Sequence, residues 1–226
     1  MIHQLIQLLT DIFYPHTCPG CGGPVSGNAL LCETCRQGVL NPRHFARDSS
    51  VHPHLDGLFF LFNYDGGVRK ALQEAKFSHR DDVLRVLSSE WSQALEEKDL
   101  FHWQIPAPVS LAIVPIPTAP ERVKQRGYEI PEEIFRPWCQ ARGYAWKPLL
   151  IRIRDTKPMY DLSSRERKEN IRGCFALRKD AALPDIVILV DDICTTGSTL
   201  EEAAKVLKQA GIKYVYGAAF ASGQGM

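Results

Sequence analysis

"VILVDDICTTGST", Val187 to Thr199, sets four apolar residues before two adjacent carboxylates and then places small hydroxyl residues around Gly197. The apolar run has the length and β-branching of a buried strand. Like charges at its end repel each other, so Asp191 and Asp192 need a partner that repays the repulsion. The residues beyond read as a loop, Cys194 to Thr196, leading through Gly197 into a helix from Ser198 to Ala210. Ser198 with Glu201, and Thr199 with Glu202, have the spacing of capping boxes. Free N–H groups and the positive dipole end at such a helix start suit a phosphate, and the hydroxyls of Thr195, Thr196, Ser198 and Thr199 add donors. Asp191 and Asp192 would repel that phosphate, so they face another part of the ligand. Sugar hydroxyls and a hydrated Mg²⁺ are their natural partners.

Around this stretch, continuous apolar strands alternate with helical patterns. "GLFFLFNY" (Gly57 to Tyr64) precedes a helix with Val68, Leu72, Ala75 and Lys76; a second helix covers Val83 to Leu95. "LAIVPIP" (Leu111 to Pro117) is a strand ending in two prolines, a helix follows over Pro131 to Arg142, and "KYVYGAAF" (Lys213 to Phe220) is another strand. That alternation predicts an α/β fold with a mostly parallel sheet covered on both faces. Ligands in such sheets sit at the carboxyl ends of the strands, which makes the loops after Val114 and Val190 the candidate site.

Four of the seven cysteines form two C-x-x-C pairs, Cys18 with Cys21 and Cys32 with Cys35. Four thiolates on two tight turns close a tetrahedron around a structural Zn²⁺ and leave no open position for catalysis, while Gly20, Gly22 and Gly23 let backbone N–H groups face sulfur. Two disulfides are the alternative, and they would need an oxidising compartment. Cys139, Cys174 and Cys194 read as small buried apolar residues. Ile2, Leu5, Ile6, Leu9, Ile12 and Phe13 share one helical face, with Pro15 ending the pattern; this is a docking helix, or less simply a membrane-surface anchor. No apolar run spans a bilayer and the expected location is the cytoplasm. The expected organisation is a helix and zinc module over residues 1–40, a linker over 41–56 and one larger domain over 57–226. With 27 Lys plus Arg against 26 Asp plus Glu, the whole molecule has no field that would draw in nucleic acid or an anionic membrane.

The stretch from Val187 to Thr199 resembles the signature of type I phosphoribosyltransferases, which bind 5-phosphoribosyl 1-pyrophosphate. The resemblance implies that Cys194, Thr195, Thr196, Gly197, Ser198 and Thr199 hold the 5-phosphate. It implies that Asp191 and Asp192 take the ribose hydroxyls and act in catalysis with Mg²⁺. "VPIP" (Val114 to Pro117) is similar to the pyrophosphate loop of that fold, carrying Pro115 and Ile116, with Arg122, Lys124 and Arg126 just beyond. Lys76 is a further candidate for a pyrophosphate contact. Together with the four cysteines, "RGY" (Arg126 to Tyr128), "RIRDTKP" (Arg152 to Pro158) and "LSSRERKENIRGCF" (Leu162 to Phe175), the chain resembles the ComF-type competence protein family over nearly its whole length. That family couples a zinc finger to a phosphoribosyltransferase domain and is associated with uptake and processing of transforming DNA.

Residues 151–179 carry nine basic and four acidic side chains. In the resembled fold this region is a mobile loop over the phosphoribosyl donor, with Arg152 and Arg165 as candidate contacts; Arg165, Arg167, Asn170 and Arg172 match the family's pattern best. The same charge could seat single-stranded nucleic acid or simply be a solvated helix face. Glu129 and Met159 stand where the family commonly has amides, and both weaken the case for transfer more than for phosphate binding. Phe59, Phe60, Phe62 and Tyr64 could form a hood over an acceptor, although alternating aromatics in a strand are more often core. "ASGQGM" (Ala221 to Met226) is too short for a hood, and Ile2 excludes an N-terminal nucleophile. Three readings follow: a transferase; a non-catalytic module that binds a nucleotide or a single-stranded DNA end; and an interaction protein that docks DNA-uptake partners.

Overall fold

A computed structural model describes residues 17–25, 29–77, 81–98, 110–157, 162–179 and 182–223. Within them the chain forms α1 (Glu33–Val39), β1 (Leu40–Ala46), β2 (Gly57–Asn63), α2 (Gly66–Phe77), α3 (Asp81–Lys98), β3 (Leu111–Pro115), α4 (Pro120–Arg126) and α5 (Ile130–Ala141). There follow β4 (Ala145–Trp146), β5 (Leu150–Arg152), α6 (Ser164–Ile171), β6 (Phe175–Leu177), β7 (Ile186–Cys194), α7 (Ser198–Gln209) and β8 (Tyr214–Ser222). The six-stranded sheet runs β1-β2-β8-β7-β3-β4, parallel except for β1, which pairs antiparallel with β2. The mostly parallel α/β sheet read from the sequence is therefore present. The predicted N-terminal helix, Met159 and Gln224 to Met226 lie outside the described residues.

Strand side chains alternate between two cores, as the period of two requires. Ile188 and Val190 pack with Phe59, Leu72, Trp91 and Phe135 under α2, α3 and α5; Val187 and Leu189 pack with Phe60, Leu200, Ala204 and Leu207 under α7. Phe59, Phe60 and Phe62 are fully buried, so they are core and form no hood over a ligand.

Two features differ from the sequence reading. Part of the expected linker is sheet: Leu40–Ala46 is the edge strand β1, in register with Phe62 down to Gly57. Pro42 is tolerated because an edge strand has one side without a ladder. Second, the buried strand does not stop at the carboxylates. β7 runs on to Cys194, held on one side by β8, with Asp191 opposite Ala219 and Cys194 opposite Ser222. On its other side β3 ends at Pro115, opposite Val190. The pair thus projects where one neighbour has stopped and the other continues.

The zinc module is docked onto the larger domain. Cys18, Leu30 and Leu31 belong to the core that contains Phe59 and Trp91. Glu90 of α3 accepts from the Leu30 backbone N–H at 3.2 Å and from Arg36 Nε at 2.9 Å, with both Arg36 and Glu90 buried.

Candidate functional site

At the carboxyl ends of β3 and β7, three elements converge. Asp192 is buried and its Oδ2 lies 2.5 Å from Nζ of Lys76, in the last turn of α2. Its backbone N–H donates to Asp191 Oδ1 at 2.9 Å. Burial and the neighbouring Asp192 charge push Asp191 well above the ordinary carboxylate range. Burial opposes ionisation of Asp192 as well, but the Lys76 ammonium and hydrogen bonds from Asp191 and the Ile193 amide outweigh it and hold Asp192 low. The same surroundings thus push the two carboxyls in opposite directions, Asp191 up and Asp192 down.

The loop after β7 has a geometry the capping-box spacing does not foresee. Gly197, at φ 68, is the N-cap residue of α7 and supplies no side-chain cap. Only glycine adopts this left-handed conformation without strain. A Cβ there would also lie 2.5 Å from Cε1 of His52. Glu201 and Glu202 bond elsewhere: Glu201 takes the His54 backbone N–H and Nδ1, and Glu202 accepts from the Gly173 N–H at 2.8 Å. Both expected capping boxes are therefore absent; the helix start keeps its donors uncapped by its own side chains. Thr196 Oγ1 and Ser198 Oγ lie 2.9 Å apart, Thr195 is exposed, and Thr199 is half-buried. Cys194 is buried, and burial with the nearby Asp191 pushes its thiol up to about 12, which makes it a packing residue and not a thiolate.

On the β3 side Ile116 is buried and its N–H bonds Val190 O at 3.0 Å, extending the ladder one residue past Pro115. α4 then presents Arg122, Lys124 and Arg126, and Gly127 closes it at φ 85. Burial and the adjacent Arg122 lower the pKa of Arg126, while Asp192 works against them. Tyr128 donates its hydroxyl to Ala75 O at 2.7 Å. Burial and the neighbouring Glu132 raise the pKa of Glu129, against the opposing pull of the Thr118 amide and Arg178.

The remaining candidates are dispersed. Arg152 bonds Thr156 Oγ1 at 3.0 Å and stacks over Phe175. Arg165 has a side chain 90% exposed and pairs with Glu169 of its own helix. α6 does contain a capping box, Ser163 with Glu166, that the sequence reading does not include. Its signal is Ser163 followed three residues later by Glu. Sequence reasoning also missed His52 and His54, which the segment between β1 and β2 lays over the start of α7.

In the N-terminal module the four sulfurs of Cys18, Cys21, Cys32 and Cys35 lie within 4.8 Å of one another. Zn–S bonds of about 2.3 Å in a tetrahedron space the sulfurs by about 3.8 Å, so the group fits a zinc ion. Burial opposes ionisation of Cys18, yet amides of Cys32, Cys21 and Gly20 bring its thiol down to about 6. A Cβ on Gly20 would stand 2.9 Å from Cys35 Sγ, so glycine is needed to let the loop close on the sulfurs.

Comparison with known proteins bears on both sites. The family model for the double zinc ribbon domain matches residues 9–45, a span with ligands for one four-cysteine site. The chain is 30% identical over 195 residues to DNA utilization protein YhgH of Salmonella typhi, covering 86% of this chain and 78% of that one. It is 26% identical to competence protein F of Haemophilus influenzae, over 88% and 81% of the two chains, and 26% identical to competence protein ComFC of Bacillus subtilis, over 87% and 73%. This chain belongs to the ComF-type competence protein family. Among solved structures, a glutamine phosphoribosylpyrophosphate amidotransferase from B. subtilis matches with a TM-score of 0.39 at 17% identity, over 66% of this chain and 30% of that chain. The structural zinc site belongs with the zinc ribbon match and the four-cysteine cluster. No helix among the described residues is long and apolar enough to cross a membrane.

Proposed function

We propose that the chain binds 5-phosphoribosyl 1-pyrophosphate or a related phosphoribosyl group with Mg²⁺ at the ends of β3 and β7, and acts in DNA uptake or processing. The observation that carries this is the Asp191–Asp192 pair standing beside a helix start, whose N-cap is Gly197, with Lys76 on the opposite side. Phosphate at Thr195 to Thr199 is served by N–H donors and hydroxyls. Sugar hydroxyls suit the carboxylates, and Lys76 and Arg126 supply the cations that a pyrophosphate requires. When bound, Mg²⁺ would neutralise charge developing on the leaving pyrophosphate. In transfer, the C1–O bond to pyrophosphate breaks as an acceptor bonds C1; Arg152 and the segment after it would exclude water. Cytoplasmic location fits such chemistry and is part of the proposal, as is the division into a zinc module over 1–40, a connecting segment over 41–56 and a binding domain over 57–226.

Calorimetric titration with 5-phosphoribosyl 1-pyrophosphate, with and without Mg²⁺, tests the pocket. Binding that requires Mg²⁺ and is lost in the Asp191→Asn, Asp192→Asn double variant is expected. Transfer itself is read as pyrophosphate released across a panel of nucleobases and amines.

A second reading is favoured by the exposure of α6, whose Arg165 stands free in solvent beyond its Glu169 partner. There the chain grips single-stranded DNA without chemistry, alone or with DNA-uptake proteins. Strand affinity would then fall steeply with salt and with Arg165→Ala, Arg167→Ala. A flat salt response would sink it.

A further inference from the structure

The last turn of α2 is fixed to the rest of the site at three consecutive residues. Ala75 O accepts from Tyr128, Lys76 pairs with Asp192, and Phe77 lies with its ring centroid 5.8 Å from Arg126 Cζ. A turn anchored in this way cannot easily rotate Phe77 inward. Phe77 is 73% exposed, the most exposed large hydrophobic residue among the described residues. The surroundings are cationic: Lys76 on the same turn, and Arg122, Lys124 and Arg126 on α4. A greasy side chain from a partner protein would have to desolvate those charges to reach the ring. A planar heteroaromatic attached to a phosphate suits both features at once, because its face stacks on Phe or guanidinium and its phosphate finds cations.

We infer that Phe77 and Arg126 form the stacking platform for a nucleobase at the mouth of the Asp191–Asp192 site. This rests on the reading of that site as a phosphoribosyl pocket. The platform supplies the acceptor-side selectivity that the strand aromatics, buried as core, cannot provide. The nucleobase has two sources, a free nucleotide or a single strand, and the same ring serves either.

The test compares ligands that differ only in the base. Ribose 5-phosphate, AMP and UMP are titrated calorimetrically against the full chain, Phe77→Ala and Phe77→Trp. In parallel, a 5′-hydroxyl oligodeoxythymidylate is compared with an abasic strand of equal phosphate number. The expected result is binding of the base-bearing ligand that exceeds its base-free counterpart by about tenfold or more, the scale of one stacked base. Phe77→Ala should abolish that excess and leave the base-free affinity unchanged, and Phe77→Trp should keep it. If ribose 5-phosphate and both nucleotides fail to bind, the phosphoribosyl pocket falls, and a Phe77-dependent excess on the strand alone still upholds the platform. If neither pair shows an excess, or if Phe77→Ala leaves it intact, the platform is wrong.

Discussion

Gly197 shows how much of this site hangs on one backbone position. At φ 68 with the His52 ring against its Cα, it can accept no side chain without moving both the loop and the segment that carries His52. Gly197→Ala should cost about 1–3 kcal/mol, read as a lower urea midpoint, and should weaken phosphate binding in the same preparation. The carboxylate pair next to it predicts opposite pH responses. Asp191 keeps its proton in the fold at pH values where the unfolded chain has lost it, so its effect on stability becomes more adverse as pH rises from the ordinary carboxylate pKa to the raised one. Asp192 does the reverse: its stabilisation is present above the ordinary value and is lost as pH falls through the depressed one. In metal-free buffer near neutral pH, Asp191→Asn should therefore raise Tm and Asp192→Asn should lower it by leaving Lys76 unpaired. A change of about 1 kcal/mol moves Tm by roughly 2–4 °C in a chain of this size, and thermal melts against pH would show the two trends diverging.

Among elements, the meeting of α2 with the turn after α4 decides whether the cations stand near the carboxylates. Tyr128→Phe removes one hydrogen bond and should cost about 1 kcal/mol. Hydrogen exchange should localise the change to the amides of the last turn of α2, and ligand affinity should fall with it; an even spread over the sheet would argue against this anchoring role. The helices and strands that build this region were legible because each carries its own period, 3.6 in α2 and α5, and unbroken apolar runs in β3, β7 and β8. β1 was not legible: its Asn, Pro, Arg and His obey no period, and it is a strand because β2 offers it an open edge.

For the whole molecule, the zinc module behaves as part of the core. Arg36 and Glu90 form a buried ion pair between α1 and α3, and losing one member of such a pair typically costs about 3–5 kcal/mol because the other is left charged and dry. Glu90→Ala should lower the urea midpoint accordingly. Zinc removal by a chelator should lower the temperature of one shared calorimetric transition, since Leu30 and Leu31 are packed in the same core as Phe59. A separate early transition for the module would contradict that coupling.

Sequence alone determined what local spacing can encode: the four-thiolate zinc set, the parallel α/β alternation, and the carboxylates followed by a hydroxyl-rich helix start. Tertiary structure decided what depends on residues far apart in the chain. Lys76 reaches Asp192 across more than a hundred positions, His52 covers Gly197, and Glu201 turns to His54 where a capping box had been expected. Spacing cannot announce such partners, because which side chain satisfies a buried charge or an open N–H is settled only when the elements pack and water is excluded.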